Sequence, residues 1–144
     1  MDIQDASGKS LLVPGVPESV VDSDIILTYK DKEYPADWRF REHDGYYSSR
    51  AYYAVFSGIS YRPVFVRDGN GNVVDSGRRV LVVGEWDGAK NFDETFSLTI
   101  SENQTETFRI AHTFEMANNK IKDYTTTVWH NGNVVGESVV IVKK

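Results

Sequence analysis

The sequence predicts an all-β fold, an antiparallel β-sandwich of immunoglobulin-like or related type, with a closed β-barrel as the alternative. Apolar and polar residues alternate with a period of two in most apolar segments, as they do in half-buried strands. Turn signals recur roughly every eight to twelve residues, a spacing typical of sandwiches and barrels. The sequence shows no heptad, long helical repeat or βαβ alternation. These observations together indicate a single β-domain.

The 144-residue chain is expected to comprise an extended N-terminal arm, residues 1–22, and one β-sandwich domain, residues 23–144. The arm contains the apolar segment Leu11–Val13, which Pro14, Gly15 and Pro17 interrupt soon afterwards. Because proline removes a backbone donor, this segment is expected at a sheet edge and not at a sheet centre.

The first half of the domain contains two clear strand patterns. Residues 25–30 alternate between two faces, and residues 51–57 are apolar on both faces, which is typical of a central strand. Residues 36–49 are the least regular part of the chain. Within them, Trp38 and Phe40 alternate with arginines, a pattern that suits an edge strand.

A strong hairpin signal follows. Pro63–Arg67 and Val73-Val74 flank the turn-rich loop Asp68–Asn72. Ser76-Gly77 indicates another turn, and Arg78–Trp86 is expected to form a nearly continuous apolar strand.

The C-terminal third predicts a three-stranded meander. Apolar residues fall on one face of residues 107–117, and Asn118-Asn119 then interrupts the pattern. A second strand, Lys122–His130, ends at Asn131-Gly132, a pair suited to the left-handed conformations of a two-residue hairpin turn. Residues 134–135 and 138–143 return the chain to the sheet.

The composition excludes several classes of function. A net charge of −5 argues against binding to nucleic acid. The absence of cysteine excludes disulfides, thiolate nucleophiles and cysteine-ligated metals. No histidine pair has metal-ligand spacing, and no phosphate-binding or dinucleotide-binding glycine motif occurs, so neither a metal nor a cofactor is expected. No catalytic constellation stands out.

Two segments have alternative interpretations. Alternate carboxylate and amide oxygens in Asp68–Asn72 suggest calcium, but Val73 and Arg79 occupy the glycine and glutamate positions of the EF-hand loop. A hairpin loop with positive φ explains the same residues and is preferred. His112 lies on the apolar face of its strand. It is interpreted either as a hydrogen-bonded core histidine or as a ligand contact. His130, next to the turn, is expected to face solvent.

Aromatic residues in the first half of the chain are the other candidate ligand contacts. Trp38, Tyr46, Tyr47 and Tyr52 provide flat, amphipathic surfaces for stacking against a carbohydrate or anchoring a protein partner. The alternative is that they pack on the faces of the sheets.

The N-terminal region resembles small lipoproteins of Bacteroidetes-type bacteria. Residues Asp5–Leu12 match a D-x-x-G-x-x-L-L segment, and residues Asp24–Tyr34 resemble a strand that ends in Y-x-G-K-x-Y, with Asp31 in place of the glycine. The resemblance implies a sandwich-like domain at the cell surface or in the periplasm. It also implies a lipidated cysteine upstream of Met1, whose anchor would be the chain's contact with the membrane. The family has no catalytic residues to transfer.

The sequence therefore predicts a non-catalytic exported bacterial domain with a binding or structural role. One alternative is a structural or decoration protein of a phage particle with an immunoglobulin-like fold, whose N-terminal arm docks on a neighbour. Another is a small lipocalin-like barrel, a carrier or an enzyme, in which His112 lines an interior cavity.

Overall fold

A computed structural model describes residues 1–21, 25–36, 58–83, 91–136 and 138–144 of the chain. Within these ranges the structure is all-β, as predicted, and contains no helix. No segment of the described chain therefore forms a helix long and apolar enough to span a membrane. The strands are β1 (Asp2–Gln4), β2 (Ile26–Tyr29), β3 (Lys32–Pro35), β4 (Ile59–Arg67), β5 (Val73–Val83), β6 (Phe92–Ser101), β7 (Gln104–Ala117), β8 (Lys120–His130), β9 (Asn133–Val135) and β10 (Val140–Val142).

The larger sheet is antiparallel, with the strand order β3-β2-β6-β7-β8-β9. Period-two alternation gives it two different faces. Leu27 and Leu98 pair across β2 and β6, Phe96 and Phe108 pair across β6 and β7, and all four side chains are buried. The intervening residues are mostly Ser and Thr and face outward. The predicted C-terminal meander is confirmed as β7, β8 and β9.

The second layer is assembled from distant parts of the chain. The β4–β5 hairpin joins the N-terminus through two backbone hydrogen bonds: Met1 N donates to Leu81 O over 2.8 Å, and Leu81 N donates to Met1 O over 2.9 Å. Strand β1 then pairs in parallel with β10, with Ile3 next to Ile141. The order across this layer is therefore β4-β5-β1-β10.

The two layers enclose one hydrophobic core. Leu27, Leu98 and Phe108 from the larger sheet belong to the same buried cluster as Tyr61 and Leu81 from the second layer. The segment predicted as an arm contributes buried side chains to this core: Ile3, Leu11, Leu12, Val20 and Val21.

The architecture is sandwich-like, and the closed barrel considered from the sequence is wrong for the described residues. Among the described residues, strands β3 and β9 each have one neighbour in the larger sheet, and β4 and β10 each have one in the second layer. Proline residues disfavour the pairing of a further strand at two of these edges. Pro35 ends β3 and Pro63 lies within β4, and a proline cannot donate the hydrogen bond that a further strand would need.

The predicted turn at Ser76-Gly77 is instead a bulge inside β5. Pro63 pairs with Arg79 and Phe65 pairs with Asp75, so three residues of β5 lie opposite one residue of β4. Gly77 has a φ of 77°, which glycine adopts without strain. The chain therefore bends here without reversing, and β5 is one strand of 11 residues.

Two hairpins project from opposite ends of the sandwich. Strand β1 starts beside Leu81 and runs antiparallel to β5, so both β1 and its parallel neighbour β10 run towards the β4–β5 turn. The end of β10 contacts the start of β7, where Gln104 Nε2 donates to Val142 O over 2.9 Å. Strand β7 therefore begins at the end from which the β4–β5 turn projects. The β7–β8 turn, at Asn118-Asn119, lies at the other end.

Candidate functional sites

Four of the five residues predicted as ligand contacts lie outside the described residues: Trp38, Tyr46, Tyr47 and Tyr52. The aromatic binding surface therefore stays a prediction.

The fifth candidate, His112, lies on the inner face of the larger sheet and is 7% exposed. Its Nδ1 shares a hydrogen bond of 2.8 Å with Thr126 Oγ1 on the neighbouring strand. Its ring stacks on Phe92, with centroids 5.4 Å apart, and lies 6.2 Å from the ring of Tyr124. These contacts fix the orientation of the imidazole within an aromatic group of side chains. A role for His112 in ligand binding stays a prediction.

The start of β7 places a carboxylate in the interior of the described structure. Glu106 is 5% exposed and accepts hydrogen bonds from three side chains. Gln104 Nε2 donates to Oε1 over 2.7 Å, and His130 Nε2 donates to Oε2 over 2.9 Å. Asn131 Nδ2 also donates to Oε2. Burial of a carboxylate without such donors would be costly, so these contacts explain how Glu106 remains inside.

The Glu106 cluster, defined as Gln104, Glu106, His130 and Asn131, also holds the C-terminal strand. The Gln104 amide donates to Val142 O and accepts from Lys144 N over 2.9 Å. The side-chain amide thus takes the place of a backbone amide on a neighbouring strand. It ties the end of β10 to β7 and satisfies polar groups at a sheet edge.

The same contacts set the protonation of Glu106. Burial acts to raise its pKa, but hydrogen bonds from Gln104, Asn131 and His130, together with the charge of His130, outweigh burial. The pKa of Glu106 therefore lies below its usual value.

The expectation that His130 faces solvent is wrong. Its side chain is 18% exposed, contacts Glu106 and stacks on Phe108, with ring centroids 4.7 Å apart. One signal for this cluster was present in the sequence, because Gln104 and Glu106 share the period-two face of Phe108. Polar residues at core-facing positions need buried hydrogen-bond partners, but those partners cannot be identified from the sequence alone.

The loop Asp68–Asn72 forms the predicted hairpin turn. Asp68 Oδ1 accepts hydrogen bonds from the backbone of Asn70 and Asn72, both over 2.8 Å, and Asp68 Oδ2 accepts from the Asn72 side chain. The Asn72 side chain and the loop backbone hold the pKa of Asp68 below its usual value. The carboxylate oxygens thus bind amide groups of their own loop, and these hydrogen bonds stabilise the turn.

The hairpin behind this loop exposes apolar side chains on both faces. Phe65, which is 58% exposed, and Val73, which is 63% exposed, share one face with Arg67. Val66 and Val74 pair with each other on the opposite face and are also exposed. We call residues 64–75 the β4–β5 tip. Apolar side chains that are exposed together on one element are a feature of protein–protein contact surfaces.

The β4–β5 hairpin is also the basic part of an acidic chain. It contains four arginines and two aspartates, a net charge of +2, whereas the whole chain has a net charge of −5. Arg79 pairs with Asp75 over 2.8 Å, and Arg78 pairs with Asp2 over 2.9 Å. Arg67 donates to Gly71 O and makes no ion pair within the described residues.

Among the described residues, no three or more His, Asp or Glu side chains are grouped to hold a metal ion. Comparison of the chain with protein-family models, curated proteins and solved structures found no match.

Proposed function

We propose that the chain is a non-catalytic interaction domain with a binding or structural role, and that it contacts a partner protein through the β4–β5 tip. The observation that carries this proposal is the exposure of Phe65, Val66, Val73 and Val74 on both faces of one hairpin. Complete burial of such a side chain contributes about 1.5–3 kcal/mol. A partner that covers these side chains would therefore gain several kcal/mol.

The rigidity of the tip supports the same role. Hydrogen bonds to Asp68 fix the loop, Arg67 Nη1 donates to Gly71 O over 2.8 Å, and Ser76 Oγ donates to Val64 O over 2.6 Å. A pre-ordered element loses little conformational entropy when it binds.

The polar loop makes a lipid bilayer a poor partner for the tip. Insertion of the turn into a membrane would bury the ionised Asp68 first, at a high desolvation cost. A protein groove is a better partner, because the apolar side chains behind the loop can be covered while the loop itself stays in water.

We further propose that the domain acts at the bacterial cell surface or in the periplasm, as part of a lipoprotein. The resemblance of Asp5–Leu12 and Asp24–Tyr34 to small bacterial lipoproteins supports this location. Fractionation of the source cells tests it, with an antibody against the chain and labelling by a palmitate analogue. Recovery of all the protein in the cytoplasmic fraction, without label, would reject it.

A structural protein of a phage particle is the second candidate. The observation that favours it is the projection of the β4–β5 and β7–β8 turns from opposite ends of the domain. A subunit with contact elements at both ends can join two neighbours in an assembly.

Site-specific photocrosslinking tests the contact. A photoreactive phenylalanine analogue at Phe65 is expected to form adducts in the source cells. The same analogue at Val134, which is 67% exposed on β9, is the control and should form far fewer. Equal labelling at the two positions, or no adduct at Phe65, would contradict a contact through the β4–β5 tip.

A further inference from the structure

We propose that the outer edge of β8, residues Asp123 to Thr127, is a second binding site, which takes an extended peptide segment of a partner protein as an added strand. We call these residues the β8 edge. The site is separate from the β4–β5 tip and does not depend on the function proposed for the tip. It rests on the register of β8 with its neighbours and on the direction of its backbone groups.

Strand β8 is much longer than the strand that covers its outer side. It pairs with β7 along nearly its whole length, whereas β9 pairs only with Val128, Trp129 and His130. Among the described residues, no strand covers the β8 edge. Thr125 and Thr126 are exposed, and the edge contains neither proline nor lysine, two residues that commonly protect an open edge. At about 3.4 Å per residue, the edge offers about 17 Å of strand.

The alternation of hydrogen bonds along β8 determines which backbone groups are available. The two-residue turn after His130 makes the first pair of β8 and β9 a hydrogen-bonded one, so the backbone groups of His130 point towards β9. Every second residue repeats this direction, so Thr126 and Tyr124 direct their N–H and C=O groups out of the sheet. One contact agrees with this assignment: Tyr124 N donates to Asp123 Oδ1 over 2.8 Å. An added strand would bind Thr126 N–H, Thr126 C=O and Tyr124 C=O.

The side chains beside the edge indicate the chemistry of the added segment. Its residues opposite Thr126 and Tyr124 would have their side chains on the inner face, where the Tyr124 side chain is 69% exposed. Apolar side chains suit these positions. The residue between them would lie beside Thr125 on the outer face, where a polar, β-branched side chain fits. Because Lys122 Nζ already pairs with Glu115 Oε2 over 3.1 Å, a charged segment gains little. The expected segment is therefore neutral and alternates between apolar and polar residues.

A second copy of this chain is a poor occupant of the β8 edge. A two-fold pairing of two β8 strands centred on Thr125 would place Lys122 of the second copy beside Val128. Val135 of β9 already occupies that place. A pairing centred on Asp123 avoids β9, but it brings two Asp123 carboxylates side by side and crosses the bulge at Lys122. A short segment that ends or turns away beside β9 meets neither obstacle.

Titration of the whole chain with a synthetic peptide, followed by NMR, tests this inference. The probe has alternating threonine and valine residues between terminal lysines that keep it soluble. The control is the same peptide with its valine amides methylated on nitrogen, which removes the donors that would face Thr126. We expect the amide signals of the β8 edge to shift with the probe and not with the control. Shifts at the β4–β5 tip instead, or no binding, would overturn the inference.

Three variants make the test specific. Thr126→Pro removes the N–H donor of the edge and should weaken binding roughly tenfold. The matched control, Val134→Pro, removes an outward-facing donor of β9 and should leave binding unchanged. Asp123→Ala frees Tyr124 N–H for the peptide and should strengthen binding roughly fivefold. Misfolding does not produce a gain of affinity, so the Asp123→Ala result remains decisive even if Thr126→Pro unfolds the strand.

Two further outcomes would overturn the inference. The first is peptide binding that a folded Thr126→Pro variant retains in full, or that Asp123→Ala weakens. The second is self-association of the purified chain in sedimentation equilibrium that Thr126→Pro abolishes and Val134→Pro does not, because the occupant of the edge would then be a second copy.

Discussion

Replacing Glu106 with glutamine should destabilise the domain by about 2–4 kcal/mol, because three buried donors converge on the carboxylate. Gln104 donates to Oε1, while His130 and Asn131 donate to Oε2. A glutamine side chain keeps one acceptor oxygen and replaces the other with an amide nitrogen, which is itself a donor. At least one of the three donors is therefore left without an acceptor, and the remaining hydrogen bonds lose their charge.

Urea unfolding at pH 7 measures the loss as a lower midpoint at an unchanged slope. By thermal unfolding, the same loss lowers the midpoint by roughly 6–15 °C for a domain of this size. Amide exchange gives an independent readout. If Gln104 loses its position, Lys144 N loses its acceptor, and exchange at the end of β10 should become faster.

The matched control is Glu115→Gln, which removes the same charge from an exposed site on the same strand. Glu115 contacts Lys122 in solvent, and its replacement should change the free energy of unfolding by less than about 0.5 kcal/mol. If Glu106→Gln changes stability no more than this control does, the Glu106 cluster does not stabilise the fold as argued.

The pH dependence follows from the lowered pKa of Glu106. In the unfolded chain the carboxyl has its usual pKa of about 4.5, so the unfolded state binds its proton first as the pH falls. The stabilisation by Glu106 is therefore complete above the usual pKa and is lost as the pH falls through the folded-state pKa. The difference between wild type and Glu106→Gln should therefore be present at pH 5 and should shrink as the pH falls below about 4.5.

Three further outcomes are expected. Gly132→Ala should destabilise the domain by about 1–2 kcal/mol in urea unfolding, because Gly132 has a φ of 83° in the β8–β9 turn; an unchanged midpoint would contradict this. Phe108→Ala should cost about 3–5 kcal/mol, because its ring is buried between Phe96 and His130, and a loss below about 1 kcal/mol would mean that the core is not packed as described. Calcium at millimolar concentration should leave the thermal midpoint unchanged, because the Asp68 oxygens already accept hydrogen bonds from their own loop; an increase would restore the metal interpretation.

Features encoded within a few neighbouring residues were predictable from the sequence. The alternation of Phe96, Leu98 and Ile100 with polar residues reports which face of a strand is buried, and β6 has that pattern. Asn131-Gly132 forms a turn with φ values of 48° and 83°, as the conformational freedom of these two residues indicates. At Ser76-Gly77 the same local signal was ambiguous, because a glycine with positive φ serves a bulge as well as a turn.

Features that depend on residues distant in the chain were decided by the tertiary structure. The pairing of Met1 with Leu81 and of β1 with β10 joins the two ends of the chain and places Ile3 in the core. His130 adjoins a turn in the sequence, yet the fold brings it to Glu106, 24 residues away.

The β4–β5 tip also has one feature that is encoded locally and one that depends on the tertiary structure. The sequence by itself predicted a hairpin at Asp68–Asn72, because alternation and turn chemistry are local properties. It did not predict that Phe65 and Val73 remain exposed, because exposure depends on where the second layer ends. The sequence therefore determined the β-fold and its turns, and only the tertiary structure decided which polar groups are buried together and which apolar groups face solvent. The physical reason is that burial depends on contacts between distant segments, whereas strand and turn propensities depend on neighbouring residues.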